Sequence, residues 1–384
     1  MKILLATGIY PPDAGGPATY TCAMARALIE RGHEAEVVCY ADRDWDRRIG
    51  NDGKEAVLKV TRIYRDLPVL GRYFKYAFEV FKRARGADLV FLQGPVSEGL
   101  PGMIGALFAR RPVVMKIVGD YAWEVFMQST NDSKVEMLDD FVKSAHKDKI
   151  GWIQKIESWT ARHASKVIVP SFYLKRIVRS WGVAREDIVV INNAVSIFPV
   201  GLERSVFRKA NHLEEKKIIF TAVRAVPWKN IDFLIELIPA LADDVVFVIA
   251  GEGPLYKQWQ DLAQELDLEA KVRFVGKLNR REMREWYQAA DVFVLPSGYE
   301  GFPHVVPEAA YFNLPCLVSD QGGNPETVHH FPQLVRVLPY LDKGAWISAL
   351  NNTKIRRQIQ FPDKLHFDQV VESTISVMKK VCKS

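Results

Sequence analysis

Residues 292–308 of the chain read Val-Phe-Val-Leu-Pro-Ser-Gly-Tyr-Glu-Gly-Phe-Pro-His-Val-Val-Pro-Glu. The first four residues are apolar and Pro296 ends the run, which is typical of a short buried strand in a parallel sheet. Pro307 suits the beginning of a helix, so residues 307–312 are predicted to be helical. The stretch therefore predicts a strand, a loop and a helix, which is the repeating unit of an α/β fold.

Two carboxylates, Glu300 and Glu308, lie in this segment. Glu300 is predicted in the loop at the carboxyl end of the strand, and Glu308 in the first turn of the helix. Ligands of open α/β sheets bind at such junctions, and the free N–H groups of a helix start favour phosphate. Because two carboxylates would repel a phosphate, their expected partners are the hydroxyl groups of a sugar and a ribose.

Short apolar strands separated by helices continue on both sides of this segment. In the first half, strands are predicted over residues 3–6, 36–40, 57–63, 87–92, 112–118, 166–169 and 188–191, with helices over 17–31 and 72–85. After a polar stretch near residues 198–216, strands are predicted over 218–223, 245–250, 272–275, 292–295 and 315–318, and a last helix over 367–381. The prediction is an α/β fold with two Rossmann-like doubly wound domains facing a cleft, divided near residue 200.

The composition agrees with such a fold. The chain has 384 residues, of which 48% are hydrophobic and 26% charged, as in ordinary globular proteins. Residues 2–8 are interpreted as a strand rather than a signal peptide, and no apolar run approaches the ~20 residues that span a bilayer. Four scattered cysteines without metal-ligand spacing favour a reducing cytoplasm.

The net charge of +6 lies in one half of the chain. Residues 1–200 carry 29 Lys and Arg against 23 Asp and Glu, whereas the remainder carries 23 of each. Such a basic half indicates an anionic partner, such as membrane headgroups or nucleic acid. A solvated surface with a small imbalance explains it equally well.

Two stretches of the first half combine basic and aromatic residues. One is the predicted helix 72–85, and the other contains Lys143, Lys147, Lys149, Trp152, Lys155 and Trp159. Such stretches could rest on an anionic membrane, as interfacial helices do. Alternatively, each packs an aromatic stripe on its own sheet.

Arg224 and Lys229 follow the predicted strand 218–223. Beside the Glu300 loop, two cations at the carboxyl end of a strand could neutralise a diphosphate leaving group. Taken alone, they could equally be surface cations of a loop.

Glycine pairs follow other predicted strands. Gly15 and Gly16 lie between the first strand and the first helix, where glycine lets the backbone approach a phosphate. They do not form the dinucleotide fingerprint, because no spaced glycines follow Gly8. Gly322 and Gly323 follow the strand 315–318. Nearby Glu326 could bind a hydroxyl group or cap a helix.

These motifs resemble those of the retaining glycosyltransferases of family 4, which have the two-domain GT-B architecture. The matching motifs are the pair Arg224 and Lys229, the E-x(7)-E pair Glu300 and Glu308, the early Gly15–Gly16, the late Gly322–Gly323, and residues 191–195. The resemblance covers nearly the whole chain. It implies an acceptor-binding domain over residues 1–200, a nucleotide-sugar-binding domain over 201–365, and a helix over 366–384 that crosses back to the first domain.

The resemblance also implies roles for the matched residues. Glu300 would contact hydroxyl groups of the donor sugar, and Glu308 the ribose. Arg224 and Lys229, with Gly16, would bind the diphosphate. Further donor-binding residues are Gly15, Lys277, Leu278, Phe302, His304, Val305 and Val306. The donor would be a UDP-, GDP- or ADP-sugar, and neither a metal ion nor a cofactor is implied.

The chain departs from the family pattern at four places. Where the family has a His after the strand 112–118, this chain has Asp120, which could replace it by contacting the donor sugar or positioning the acceptor, or could serve as a helix N-cap. His304 stands where a small residue is common, and it could contact phosphate or fill the loop. Asn230 replaces a Gly, and Asn193-Ala194 replaces Asn-Gly. Both are tolerable, because Asn also accepts left-handed backbone.

The resemblance implies sugar transfer with retention at the anomeric carbon. The acceptor would be a glycan or lipid-linked sugar of cell-surface polysaccharide synthesis, with the enzyme in the cytoplasm or peripheral on the inner face of the membrane. No nucleic-acid partner is expected. Competing hypotheses are a non-catalytic sugar-nucleotide-binding subunit and another GT-B activity, such as a phosphorylase or an epimerase.

Overall fold

The computed structural model describes residues 1–13, 15–43, 58–129, 136–144, 146–195, 199–353 and 358–383. The chain divides into two compact units. The first comprises Met1–Val125, Val142–Asn192 and Asp368–Ser384, and the second comprises Phe126–Phe141 and Asn193–Phe367.

A parallel sheet forms the centre of the first unit. Its strands are β1 (Lys2–Thr7), β2 (Glu34–Ala41), β3 (Lys59–Tyr64), β4 (Leu89–Leu92), β5 (Val113–Lys116), β6 (Lys166–Val169) and β7 (Ile188–Val190). They are ordered β3-β2-β1-β4-β5-β6-β7, and each neighbouring pair is parallel. β4 and β5 are buried along their whole length, as expected for strands covered on both faces.

The second unit repeats this arrangement. Its strands are β8 (Lys217–Ala222), β9 (Val245–Ala250), β10 (Val272–Gly276), β11 (Val292–Leu295), β12 (Cys316–Ser319) and β13 (Val335–Leu338). They are ordered β10-β9-β8-β11-β12-β13, again with parallel neighbours. Both sheets thus have the doubly wound order, with the reversal beside β1 and β8, and the predicted α/β class with two Rossmann-like sheets is confirmed.

Helices connect the strands. In chain order they are α1 (Gly16–Glu30), α2 (Val69–Ala84), α3 (Gly99–Phe108), α4 (Tyr121–Ser129), α5 (Leu138–Phe141), α6 (Lys149–His163), α7 (Phe172–Ser180), α8 (Arg204–Ala210), α9 (Ile231–Leu237), α10 (Tyr256–Glu265), α11 (Arg280–Ala289), α12 (Val305–Tyr311), α13 (Lys343–Asn351) and α14 (Phe367–Lys383). Their N-termini are set by local chemistry: Ser171 caps α7, and Asn279 with Glu282 forms a capping box on α11.

The sequence prediction missed several elements. β13 was missed because it is short and because the exposed Arg336 interrupts its run of apolar residues. α3 was missed because its sequence is apolar and glycine-rich and therefore has no amphipathic pattern. Most of its residues are buried in the structure. Val57, at the start of one predicted strand, lies outside the described residues.

Two chain segments lie side by side where the second unit begins and ends. The amide of Val195 donates to the carbonyl of Leu365 at 2.9 Å, and Val195 pairs with His366 as a parallel bridge. After this point, α14 packs in the first unit. There, Arg31 binds Asp368 at 2.8 Å and Glu372 at 2.6 Å.

Within the described ranges, we find no helix long and apolar enough to cross a membrane.

Candidate functional site

Glu300 lies in the loop after β11, as predicted. Its Oε1 accepts hydrogen bonds from Lys229 Nζ at 2.5 Å and from Ser297 Oγ at 2.8 Å. Among the described residues, Oε2 has no hydrogen-bond partner. Glu300 is therefore held through one oxygen, and its second oxygen is free to accept a hydrogen bond from a ligand.

The late glycine pair packs directly against this loop. Gly323 donates its amide to the carbonyl of Glu300 at 2.7 Å. Gly322 has a φ of +61°, and a Cβ at this position would lie 2.7 Å from both the amide nitrogen and the carbonyl oxygen of Glu300. A Cβ on Gly323 would lie 2.4 Å from the carbonyl oxygen of Gly301. These glycines therefore allow close backbone approach, which fixes the Glu300 loop.

A buried polar network underlies the same loop. Ser319 Oγ donates to the carbonyl of Ser297 at 2.5 Å, and Asn324 Nδ2 donates to Ser319 Oγ at 2.8 Å. All three residues are fully buried. Sequence reasoning missed this network, because a lone Ser or Asn after a strand is indistinguishable from an ordinary turn residue.

Asn230 joins the loop after β8 to the loop after β11. Its Nδ2 donates to the carbonyl of Pro296 at 3.2 Å and to the hydroxyl of Tyr340 at 3.1 Å. Its φ of +49° confirms that Asn adopts the left-handed backbone expected at this position. Gly298 completes the junction by donating its amide to the carbonyl of Trp228 at 2.8 Å.

The two cations of the loop after β8 differ in environment. Lys229 is paired with Glu300, and each of these side chains is 14% exposed. Arg224 is exposed, and among the described residues its guanidinium has neither an ion pair nor a hydrogen bond. Arg224 is thus a free cation near the end of β8, whereas Lys229 orients a carboxylate.

Glu308 lies in the first turn of α12, as predicted, although this helix begins at Val305 rather than at Pro307. Glu308 Oε2 accepts a hydrogen bond from the hydroxyl of the buried Tyr287 at 3.0 Å. Burial and the nearby Glu308 raise the pKa of Tyr287 well above its usual range, so Tyr287 remains a donor. Exposed His304 stands at the N-cap without a capping hydrogen bond from its side chain.

The other predicted donor residues of the second unit have diverse environments. Lys277 forms an exposed ion pair with Glu252 at 3.0 Å. Leu278 and Val305 are partly buried against the core, and Val306 is fully buried. Phe302 is buried, with its ring edge-on to His330.

In the first unit, Gly15 and Gly16 form the connection into α1. Gly15 has a φ of +154°, and a Cβ there would lie 2.8 Å from Ile9 Cδ1. Gly16 is exposed, and a Cβ there would meet no atom within 4 Å. The backbone therefore requires glycine at position 15, while position 16 offers open space.

Asp120 is buried and caps α4. Its Oδ1 accepts a hydrogen bond from the amide of Trp123 at 2.8 Å, which confirms the N-cap interpretation. Glu157 is also buried and accepts from the amide of Tyr121 at 2.7 Å, while its Oε2 has no partner. Burial raises the pKa of both carboxyl groups, and repulsion from Asp120 raises that of Glu157 further.

Lys116, at the end of β5, is another polar residue that sequence reasoning did not single out. It is 5% exposed, and its Nζ lies 3.5 Å from the centroid of the Tyr20 ring. Burial lowers the pKa of Lys116 to about 7. The sequence feature that could have identified Lys116 is its charge at the end of an otherwise apolar strand.

The described part of the chain contains no group of three or more His, Cys, Asp or Glu side chains placed to hold a metal ion.

Similar proteins share both units. Among solved structures, Anabaena Alr3699/HepE in complex with UDP-glucose has a TM-score of 0.72 at 20% identity, covering 100% of this chain and 98% of that one. Sucrose-phosphate synthase from Thermosynechococcus elongatus has a TM-score of 0.76 at 17% identity, covering 99% of each chain. These likenesses show the fold, which is GT-B.

Sequence relatives agree with this fold. An uncharacterised glycosyltransferase of Methanocaldococcus jannaschii, MJ1607, is 26% identical over 99% of this chain and 98% of its own length. An Escherichia coli UDP-Gal:alpha-D-GlcNAc-diphosphoundecaprenol alpha-1,3-galactosyltransferase is 28% identical over 59% of this chain and 56% of its own.

Two family models match successive parts of the chain. The model described as Glycosyltransferase Family 4 matches residues 14–197, and the model described as Glycosyl transferases group 1 matches residues 203–353. Together they span most of both sheets. The chain therefore belongs to the group 1 glycosyltransferases of family 4, which have the GT-B fold.

Proposed function

We propose that this transferase moves a sugar from a nucleoside diphosphate sugar to a glycan or lipid-linked acceptor of cell-surface polysaccharide, with retention and without a metal ion. The observation that carries the proposal is the geometry of Glu300. Lys229 and Ser297 hold one of its oxygens, which leaves the other for a hydroxyl group of the donor sugar.

The charges of the second unit suit a nucleoside diphosphate. Arg224 provides an exposed cation for the diphosphate, and Lys229 adds positive charge beside Glu300. Tyr287 binds Oε2 of Glu308, and Oε1, which has no hydrogen-bond partner in the described part of the chain, is available for ribose hydroxyl groups. Support for UDP as the nucleotide comes from the HepE structures, which contain UDP or UDP-glucose.

The reaction proceeds by attack of an acceptor hydroxyl on the face that the diphosphate leaves. The bond from the anomeric carbon to the diphosphate oxygen breaks, and a bond to the acceptor oxygen forms. The acceptor proton passes to the departing diphosphate oxygen. Arg224 and Lys229 stabilise the charge that develops there, which is often the largest contribution to such catalysis.

Asp120 acts as a positioning residue in this proposal. Its carboxyl group caps α4 and thereby holds the backbone of residues 120–123, after β5. It occupies the place where the family has a His.

The acceptor side involves an anionic membrane surface in the cytoplasm. On α2, Leu70, Phe74 and Phe78 are 85%, 75% and 51% exposed at four-residue spacing, which forms one apolar stripe. The exposed Lys75 and Lys82 flank this stripe. An apolar stripe with basic neighbours is the pattern of helices that lie in the interface of an anionic bilayer.

The proposal is tested by thermal unfolding with UDP, GDP and ADP, followed by transfer assays with the sugars of the nucleotide that binds. We expect one nucleotide to raise the midpoint, because a ligand that binds only the folded state stabilises it. Radiolabel from the matching donor should then enter a glycan or lipid-linked acceptor. Absence of a shift with all three nucleotides would refute the proposed function.

A further inference from the structure

Tyr340 lies in the loop after β13, and its side chain reaches the loop that carries Glu300. A Cβ on Gly298 would lie 2.8 Å from the hydroxyl oxygen of Tyr340 and 3.2 Å from Cζ of its ring. The ring therefore packs directly on the backbone of Gly298, two residues before Glu300. Because β12 separates β13 from β11 in the sheet, Tyr340 reaches past a whole strand to make this contact.

The backbone of the Tyr340 loop is anchored independently of this contact. The amide of Tyr340 donates to Asp320 Oδ1, after β12, at 3.1 Å. The indole Nε1 of Trp346, a fully buried residue of α13, donates to the carbonyl of Pro339 at 3.0 Å. The Tyr340 ring is thus presented to Gly298 from a backbone that is held on its own side of the sheet.

The amide of Asn230 lies where the loops after β8, β11 and β13 meet. Its Nδ2 donates to the carbonyls of Trp228 at 3.3 Å and Pro296 at 3.2 Å, and to the hydroxyl of Tyr340 at 3.1 Å. Carbonyl oxygens only accept hydrogen bonds, so the nitrogen of the Asn230 amide, and not its oxygen, must face them. Asn230 is 7% exposed, and its amide nitrogen is therefore bound by protein groups rather than by solvent.

These contacts hold the backbone on both sides of Lys229. The carbonyl of Trp228, just before Lys229, also accepts from the amide of Gly298 at 2.8 Å. Asn230, just after Lys229, binds the carbonyl of Pro296. The two loops that carry the ion pair are thereby joined through their backbones as well as through the side chains of Lys229 and Glu300.

The backbone conformation does not by itself require asparagine at position 230. Its φ of +49° lies in the left-handed region, where glycine is the least strained residue, and glycine is the residue that the family has at this position. A glycine would leave the carbonyl of Pro296 and the hydroxyl of Tyr340 without this buried donor. The asparagine is therefore explained by the contacts of its amide.

We propose that Asn230 and Tyr340 are positioning residues for the transfer reaction, and that they hold Lys229 and Glu300 at the spacing that the donor sugar requires. Asn230 sets the distance between the two loops, and Tyr340 keeps Gly298 from moving outward. Neither residue is assigned a contact with the donor. A displacement of about 1 Å in such a site can lower the rate about 100-fold. This inference rests on the proposed function, since it concerns the support of Glu300 in that same reaction.

The test combines N230G with E300A in a double-mutant cycle. N230G keeps a residue suited to left-handed backbone and removes only the side chain. We expect N230G to lower kcat about tenfold, while KM for the donor and the affinity for UDP stay within about twofold. In the E300A background, N230G should lower the residual kcat less than about twofold, because effects of residues that act through one another are not additive. Y340F keeps the ring on Gly298 and loses the hydroxyl group, so it should lower kcat only about threefold.

N313G is the matched control. Asn313 also has left-handed backbone, with a φ of +56°, and its Oδ1 accepts from the amide of Ile359 at 2.9 Å. N313G therefore loses a hydrogen bond of an asparagine side chain in the same unit, at a residue that is not assigned to the donor site. We expect it to lower the unfolding midpoint and to leave kcat unchanged.

Two results would overturn the positioning role: a kcat of N230G equal to that of the unmodified protein, or the same fold loss from N230G with and without Glu300. If N230G does not fold, Y340F decides, and an unchanged kcat in Y340F would overturn the role. If the unmodified protein transfers no sugar, the proposed function fails, and the cycle is then read from urea unfolding. E300A should in that case change the urea midpoint less in N230G than in the unmodified protein, and equal changes would overturn the positioning role.

Discussion

Lys229 Nζ lies 2.5 Å from Glu300 Oε1, although the two residues are 71 positions apart in the chain. Each belongs to a loop at the carboxyl end of a strand, and β8 and β11, which precede these loops, are neighbours in the sheet. Because both side chains are largely buried, salt screens this pair less than it screens an exposed pair. The lysine thus fixes the direction of the carboxylate before any ligand binds.

Replacing Glu300 should therefore affect transfer far more than nucleotide affinity. We expect E300A to lower kcat by about 100-fold or more, as the loss of a preorganised transition-state contact does. UDP affinity should stay within about twofold, because Glu300 is assigned to the sugar and not to the nucleotide. Initial rates and calorimetric titration of UDP measure the two effects. E269A, at an exposed glutamate of the same unit, is the control, and unchanged turnover in E300A would contradict the assignment.

The two cations of the loop after β8 should respond differently to replacement. R224M removes an exposed cation without a partner in the described structure, so we expect weaker UDP binding at unchanged stability. K229M leaves the Glu300 carboxylate without its charged partner, which costs about 1–3 kcal/mol for a buried polar group. Urea unfolding and UDP titration of both variants make the comparison. Equal stability losses in R224M and K229M would show that the contrast between the paired and the free cation is wrong.

Gly322 should be intolerant of a side chain. A Cβ there would lie 2.7 Å from backbone atoms of Glu300, and the φ of +61° is itself unfavourable for Ala. We expect G322A to lower both kcat and the unfolding midpoint, because the Glu300 loop must shift. G32A is a matched control: Gly32 has a φ of +76° and open space around it, so only the backbone strain of about 1 kcal/mol should appear. Equal stability losses in the two variants would mean that the contact with Glu300 is unimportant.

The buried pair of Asp120 and Glu157 should make stability depend on pH. Burial raises the pKa of Asp120 to about 7, and burial together with Asp120 raises that of Glu157. The folded state therefore holds these protons more tightly than the unfolded state. Their stabilisation is complete below the unfolded pKa values and is lost as the pH rises through the folded values.

E157Q should accordingly flatten the decline in the unfolding midpoint between about pH 5 and 8, and should raise the midpoint at pH 8. D120N keeps an N-capping oxygen for Trp123, so it should also keep most transfer activity, whereas D120A should lose stability. Thermal unfolding across this pH range, with rates at pH 7, tests both expectations. A decline in E157Q as steep as in the unmodified protein would contradict the role of the pair. Inactive but folded D120N would show that Asp120 does more than position the backbone.

The sequence predicted the fold well because the local spacing of apolar residues indicates where strands and helices form. The apolar run ended by Pro296 placed Glu300 after β11, and the apolar run 218–223 placed Arg224 after β8; both placements are confirmed. The ion pair between Lys229 and Glu300 could not be predicted, because it depends on which strands are neighbours and on the approach of two loops.

The apolar stripe of Leu70, Phe74 and Phe78 leads to the last prediction. Exposed side chains of this size bind an interface through their buried area, and nearby Lys and Arg each add about 1 kcal/mol at an anionic surface. We therefore expect the protein to sediment with phosphatidylglycerol vesicles at low salt, less so at high salt, and hardly at all with phosphatidylcholine. F74S should weaken sedimentation severalfold, whereas the control F172S, at an aromatic of similar exposure on α7, should not. A different result is expected if α2 instead packs against a second copy of the chain. The unmodified protein will then behave as a dimer in analytical ultracentrifugation, and F74S will make it monomeric. Vesicles of either composition will leave the protein in solution, which would contradict membrane binding.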